Sequence, residues 1–110
     1  MLYSYWRSSC SWRVRIALNL KGVDYEYRAV HLVADGGQQL KEEYKAKNAM
    51  CQVPSLVLDD GTLLTQSMAI LEFLEEKYPA DDGCPSLFPR LIRKRAKVYF
   101  FKLFIIMKRD

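Results

Sequence analysis

The chain has 110 residues, half of them hydrophobic and 27% charged, the balance of one ordinary soluble globular domain. No apolar stretch reaches the roughly 18–20 residues needed to cross a bilayer. Leu2–Trp6, ended by Arg7, is too short for a secretory signal, so a cytoplasmic location is expected. The formal charge of +4 is unevenly placed. Residues 1–88 hold 9 Lys/Arg against 12 Asp/Glu, a net of −3, whereas residues 89–110 hold 8 Lys/Arg against Asp110 alone, a net of +7. Basic residues do not interleave with aromatics across residues 1–88, so no nucleic-acid partner is expected. The three cysteines, Cys10, Cys51 and Cys84, are odd in number, widely spaced and without a C-x-x-C pair. They suggest neither a disulfide framework nor a zinc site, and no metal is expected.

In chain order, Leu2–Trp6 reads as an aromatic-rich strand. A helix follows from Ser9, with Cys10, Val14, Ala17 and Leu18 on its apolar face and Lys21-Gly22 at its end. Tyr25–Val30 alternates like a half-buried strand, completing a βαβ unit by about residue 33, and His31 reads as a bland surface or edge histidine. Ala34–Gly37 is a turn, Gln38–Lys47 a short exposed helix, and Asn48-Ala49 another turn. Val53-Pro54 opens a strand over Ser55–Leu58, and Asp59-Asp60-Gly61 turns it back into Thr62–Thr65. Ser67 is placed as the N-cap of a helix carrying Met68, Ile70, Leu71, Phe73, Leu74 and Tyr78, stopped by Pro79. Residues 81–89 form a linker. Arg90–Asp110 begins as a basic helix and turns apolar from Val98 to Met107.

Ser8-Ser9-Cys10 sits where a strand passes into a helix. Hydroxyls, a thiol and free backbone N–H groups meet there at the positive end of the helix dipole, a corner suited to an anion such as a thiolate. The run Ser8-Ser9-Cys10-Ser11-Trp12-Arg13-Val14-Arg15-Ile16-Ala17-Leu18 resembles the signature of the zeta-class glutathione transferases, or maleylacetoacetate isomerases. Lys21–Tyr25, Gly37-Gln38-Gln39, Gln52–Leu56, Gln66–Ile70 and Leu74-Glu75-Glu76 resemble the same family in the same order. The resemblance covers residues 1 to about 98. It implies an α/β, thioredoxin-like βαβ–ββα domain over residues 1–80, a linker over 81–89, and one C-terminal helix over 90–110 left from an all-helical second domain. The family continues for about a hundred further residues, so the chain reads as a truncated form.

The resemblance also implies roles. Ser8, Ser9 and Cys10 would be catalytic: Ser8 donates a hydrogen bond to the sulfur of glutathione, favouring thiolate, and Cys10 assists. Ser11, Trp12 and Arg13 would border the ligand, and Gln39 would meet its glycyl end. Val53-Pro54, with a cis peptide bond, would pair with the cysteinyl backbone. Gln66 and Ser67 would receive the γ-glutamyl carboxylate. From the residues alone, Ser8 or Ser9 could simply cap the helix, Cys10 could be a packing residue, and Pro54 could merely begin a strand. The implied activity is glutathione-dependent cis-trans isomerisation or transfer on a small unsaturated or halogenated carboxylic acid, in tyrosine and phenylalanine catabolism; the full-length family is homodimeric. The alternatives are a non-catalytic glutathione-binding or interaction module and a monothiol glutaredoxin-like oxidoreductase using Cys10.

Overall fold

A computed structural model describes residues 1–81 and 83–98. Strand β1 (Leu2–Ser4) leads to helix α1 (Ser9–Leu20) and strand β2 (Tyr27–Ala29). After two single 3-10 turns (Ala34–Gly36 and Gln38–Leu40) comes a one-turn helix α2 (Glu42–Lys45). Strands β3 (Ser55–Val57) and β4 (Leu63–Thr65) and helix α3 (Ser67–Lys77) complete the order. The four strands form one sheet in the order β2-β1-β3-β4. β1 runs parallel to β2, with Leu2 opposite Tyr27, and antiparallel to β3, with Leu2 opposite Leu56; β3 and β4 form the hairpin. This is the expected βαβ–ββα plan.

The core lies between the sheet and the α1–α3 pair. Leu2, Val14, Ala17, Leu18, Leu56, Ile70 and Leu74 are buried there together, each large side chain contributing about 1.5–3 kcal/mol relative to exposure. The far face carries α2, whose Tyr44 ring meets Tyr3 edge-on at 5.7 Å.

Local departures from expectation have physical causes. β2 is an edge strand with all three residues exposed, so its alternation marks no half-buried face. Gln38–Lys47 is not one helix, because Lys41 is extended (φ −66°, ψ 141°) and separates a 3-10 turn from α2. α1 ends as expected, with Lys21 at its C-cap and Gly22 at φ 65°.

Beyond α3 the chain stays docked. Glu75 accepts hydrogen bonds from Ser86 Oγ and the Leu87 N–H, both at 2.8 Å, and Phe88 is buried. The same carboxylate lies 3.0 Å from Lys21 Nζ, whose side chain is 0% exposed while that of Glu75 is 21% exposed. Residues 92–98 are helical, with Leu91 and Ile92 exposed. The remainder of the expected basic-to-apolar helix, residues 99–110, lies outside the described residues. No helix among the described residues is long and apolar enough to cross a membrane.

Candidate functional site

Ser8 is the N-cap of α1, and its Oγ accepts from the Ser11 N–H at 3.2 Å while its own N–H donates to Tyr5 O at 3.0 Å. The capping role weighed for this residue is therefore real. It leaves the hydroxyl hydrogen available for a second interaction, since a serine oxygen can accept and donate at once. Two residues on, Cys10 is half-buried rather than part of the core face. Ser11 takes the inward position instead, fully enclosed with Val14, Ala17 and Leu18. This corrects the expected helix face by one residue and removes the Ser11 side chain from the open site.

Arg13 reaches across from α1 to α3. Its Nη1 donates to Cys10 Sγ at 3.6 Å and to Ser67 Oγ at 3.3 Å. Among the described residues, this guanidinium pairs with no carboxylate.

α3 begins one residue earlier than a Ser67 cap would place it. Gln66 occupies the N-cap at φ 69°, with no side-chain cap hydrogen bond, and Ser67 is the first helical residue and buried. The left-handed Gln66 backbone turns the chain sharply out of β4, and its Nε2 donates to Met50 Sδ at 3.7 Å. An N-terminus uncapped by a side chain keeps its dipole available to an anion.

The third wall is the loop before β3, where the Val53–Pro54 peptide is cis, as expected. Three buried polar groups hold this loop. The Tyr44 hydroxyl donates to Gln52 O and shares a hydrogen bond with Ser55 Oγ at 2.9 Å. Asn48 Nδ2 donates to Gln52 O at 2.9 Å and to Ser55 Oγ at 3.0 Å. Burial pushes the Tyr44 phenol up, against the opposing hydrogen bonds of Ser55 and Asn48, which keeps it a donor at neutral pH. Among the described residues, neither the N–H nor the C=O of Val53 takes a hydrogen-bond partner.

Cys10, Asn48, Gln52, Val53, Pro54, Thr65, Gln66 and Ser67 together line one pocket of about 80 Å³, room for one end of a peptide-sized ligand. Five of the expected site residues thus converge. Ser8, Ser9 and Arg13 flank the pocket along α1 without lining it. Trp12 is turned away, its Nε1 donating to Trp6 O at 2.6 Å and its ring stacked under Arg15. Gln39 lies on the 31–40 loop, its Nε2 donating to Leu32 O at 3.4 Å. Asn48, Gln52 and Thr65 were not singled out by sequence reasoning; their only signal was proximity to Val53-Pro54 and Gln66.

A mixed sheet in this order, two helices on one face and a cis-proline loop facing a helix N-terminus define a thioredoxin-like domain. The chain belongs to the glutathione S-transferase N-terminal domain family, whose model matches residues 7–77. It is 56% identical over 98 residues to a maleylacetoacetate isomerase of Rattus norvegicus, covering 89% of this chain and 43% of that one. It is 55% identical over 85 residues to the Dictyostelium discoideum enzyme of the same name, covering 77% and 38%. Among solved structures, a bacterial zeta-class maleyl pyruvate isomerase superposes with TM-score 0.77 at 47% identity, covering 90% of this chain and 43% of that one. A maleylacetoacetate isomerase of Anaeromyxobacter dehalogenans with glutathione in its active site superposes with TM-score 0.68 at 52% identity, covering 90% and 44%. The chain spans less than half the length of these relatives.

Proposed function

We propose that this chain binds glutathione in the pocket between α1, α3 and the Val53–Pro54 loop, and supports glutathione-dependent cis-trans isomerisation or transfer on a small acid. The observation that carries this reading is the convergence of Cys10, Val53, cis-Pro54, Gln66 and Ser67 around one pocket. The Val53 N–H and C=O meet the cysteinyl backbone as an added strand would. Gln66, Ser67 and the α3 N-terminus receive the γ-glutamyl carboxylate, and Gln39 meets the glycyl end. Ser8 donates to the ligand sulfur, with Ser9 and Cys10 beside it, and this stabilises thiolate over thiol.

The thiolate then adds to the double bond of an unsaturated acid, forming a C–S bond and placing the electron pair on the adjoining carbonyl system. The former double bond rotates as a single bond. Reversal expels the thiolate and leaves the trans isomer, with glutathione regenerated. A halogenated acid instead loses halide to the same nucleophile. The protein supplies positioning and charge stabilisation rather than a nucleophile of its own. A disulfide-reducing role for Cys10 finds less support, because its near neighbour is Arg13 and not a second thiol.

In this reading residues 1–80 are the glutathione-binding unit, 81–89 the connection and 90–110 the start of a helical second domain. The protein acts in the cytoplasm, and the homodimer belongs to the full-length family, whose second domain forms much of its interface. Calorimetric titration with glutathione and an isomerisation assay on a maleyl diketo acid test it. Binding and a glutathione-dependent rate, the rate lost in Ser8→Ala, are expected; a chain that binds no glutathione overturns the reading.

A further inference from the structure

The site's least conspicuous neighbour is His31. Its Nδ1 accepts from two backbone N–H groups, those of Val33 at 3.2 Å and Ala34 at 2.9 Å. Its own N–H donates to Gln38 Oε1, and its C=O accepts from the Gln38 N–H, each at 2.8 Å. The loop so gathered runs through Asp35, Gly36 and Gly37, all at positive φ, and delivers Gln39, whose amide returns to Leu32 O. On its other side the imidazole lies 5.0 Å from the ring of Tyr5, whose carbonyl accepts from the Ser8 N–H. One side chain thus spans the two stretches that carry Ser8 and Gln39.

We infer that His31 is a positioning residue that sets the 31–40 loop, and with it Gln39, for recognition of the glycyl end of the ligand. The inference rests on the proposed binding of glutathione. Its physical basis is the two-donor turn: an Nδ1 that accepts must carry its lone pair, so the ring proton sits on Nε2. Without that acceptor, two backbone N–H groups lose their partner and nothing else on the ring can replace it. Asparagine offers an oxygen at nearly the same reach as Nδ1 and forms such turns readily. Phenylalanine keeps the ring against Tyr5 and offers no acceptor.

The test compares glutathione with γ-glutamylcysteine, which lacks the glycine, in calorimetric titrations of the full chain and its variants. The native chain is expected to prefer glutathione. His31→Phe should bind glutathione about tenfold more weakly with the dipeptide unchanged, and His31→Asn should keep the preference. A His31→Phe chain that retains the preference, or loses both ligands equally, overturns the inference while leaving the native chain's proposed glutathione binding standing. A native chain that binds neither ligand removes the proposed function itself. Nitrogen-15 spectra of the native chain give a second readout independent of variant folding: an unprotonated Nδ1 is expected, and a protonated one overturns the proposal.

Discussion

α1 and α3 are tied together at both ends by a cation from α1, and the two ties differ in one respect. At the C-terminal end of α1, Lys21 meets Glu75, which also accepts from Ser86 and Leu87. At the N-terminal end, Arg13 meets a hydroxyl and a thiol at 3.3 and 3.6 Å. The first cation has its carboxylate inside the fold. The second has none among the described residues, and it stands beside a helix N-terminus uncapped by a side chain. A matched buried charge serves cohesion, whereas an unmatched one at a groove leaves attraction for an incoming anion.

The largest effect expected is at the matched end. Glu75→Ala leaves the enclosed Lys21 ammonium without its partner and unfastens Ser86 and Leu87, at a cost of about 3 kcal/mol, read from urea unfolding. The same carboxylate makes stability depend on pH. Burial alone would raise its pKa, but the Leu87 N–H, Lys21 and Ser86 together hold it below the ordinary carboxylate value. Its folded pKa is depressed, so its contribution is present above the unfolded value of about 4.3. It is lost as pH falls through the folded value. Unfolding measured from pH 7 to pH 3 should show that loss in the native chain and less of it in Glu75→Gln.

Next comes Tyr44→Phe, which removes the hydroxyl shared by Gln52 and Ser55 and should cost about 1–2 kcal/mol. Glutathione affinity should fall with it, because the Val53–Pro54 loop loses a tether. Arg13→Ala should sharpen the contrast most directly: stability within about 0.5 kcal/mol of native, with glutathione binding weakened about tenfold. An Arg13→Ala chain as destabilised as Glu75→Ala would erase the distinction between the two ends. The smallest effect belongs to Lys45→Ala. Its partner Glu42 is 90% exposed, and under about 0.5 kcal/mol is expected.

The sequence exposed these features unequally. Element order and the Ser8 corner were legible because local chemistry dictates them: hydroxyls at a helix start, an X–Pro before a strand. That the Val53–Pro54 bond is cis was implied by the resemblance alone, since most X–Pro bonds are trans. The inward turn of Ser11 in place of Cys10 was not, because hydropathy favours the thiol while the position is decided by the phase of α1 against the sheet. Ser67 reads as a cap by composition, yet the left-handed Gln66 that occupies the cap is dictated by how sharply β4 must turn into α3. The exposed edge strand β2 alternates like a half-buried one, since alternation records side-chain direction and not whether a layer covers either face. His31 reads as a bland surface or edge histidine because its partners are backbone groups two and three residues away, which leave no mark in composition.

The strand at the very start of the chain is also the middle of the sheet, joined to β2 on one side and β3 on the other. During synthesis β1 emerges before the strands that flank it, yet it cannot be completed until Ser55–Val57 has followed. Every nascent chain shorter than that carries a central strand with one side bare, a template for wrong pairing. The turn that positions Ser8 comes straight out of this strand. The site therefore cannot mature ahead of the fold, and ligand capture by a growing chain would report that both halves of the sheet have closed.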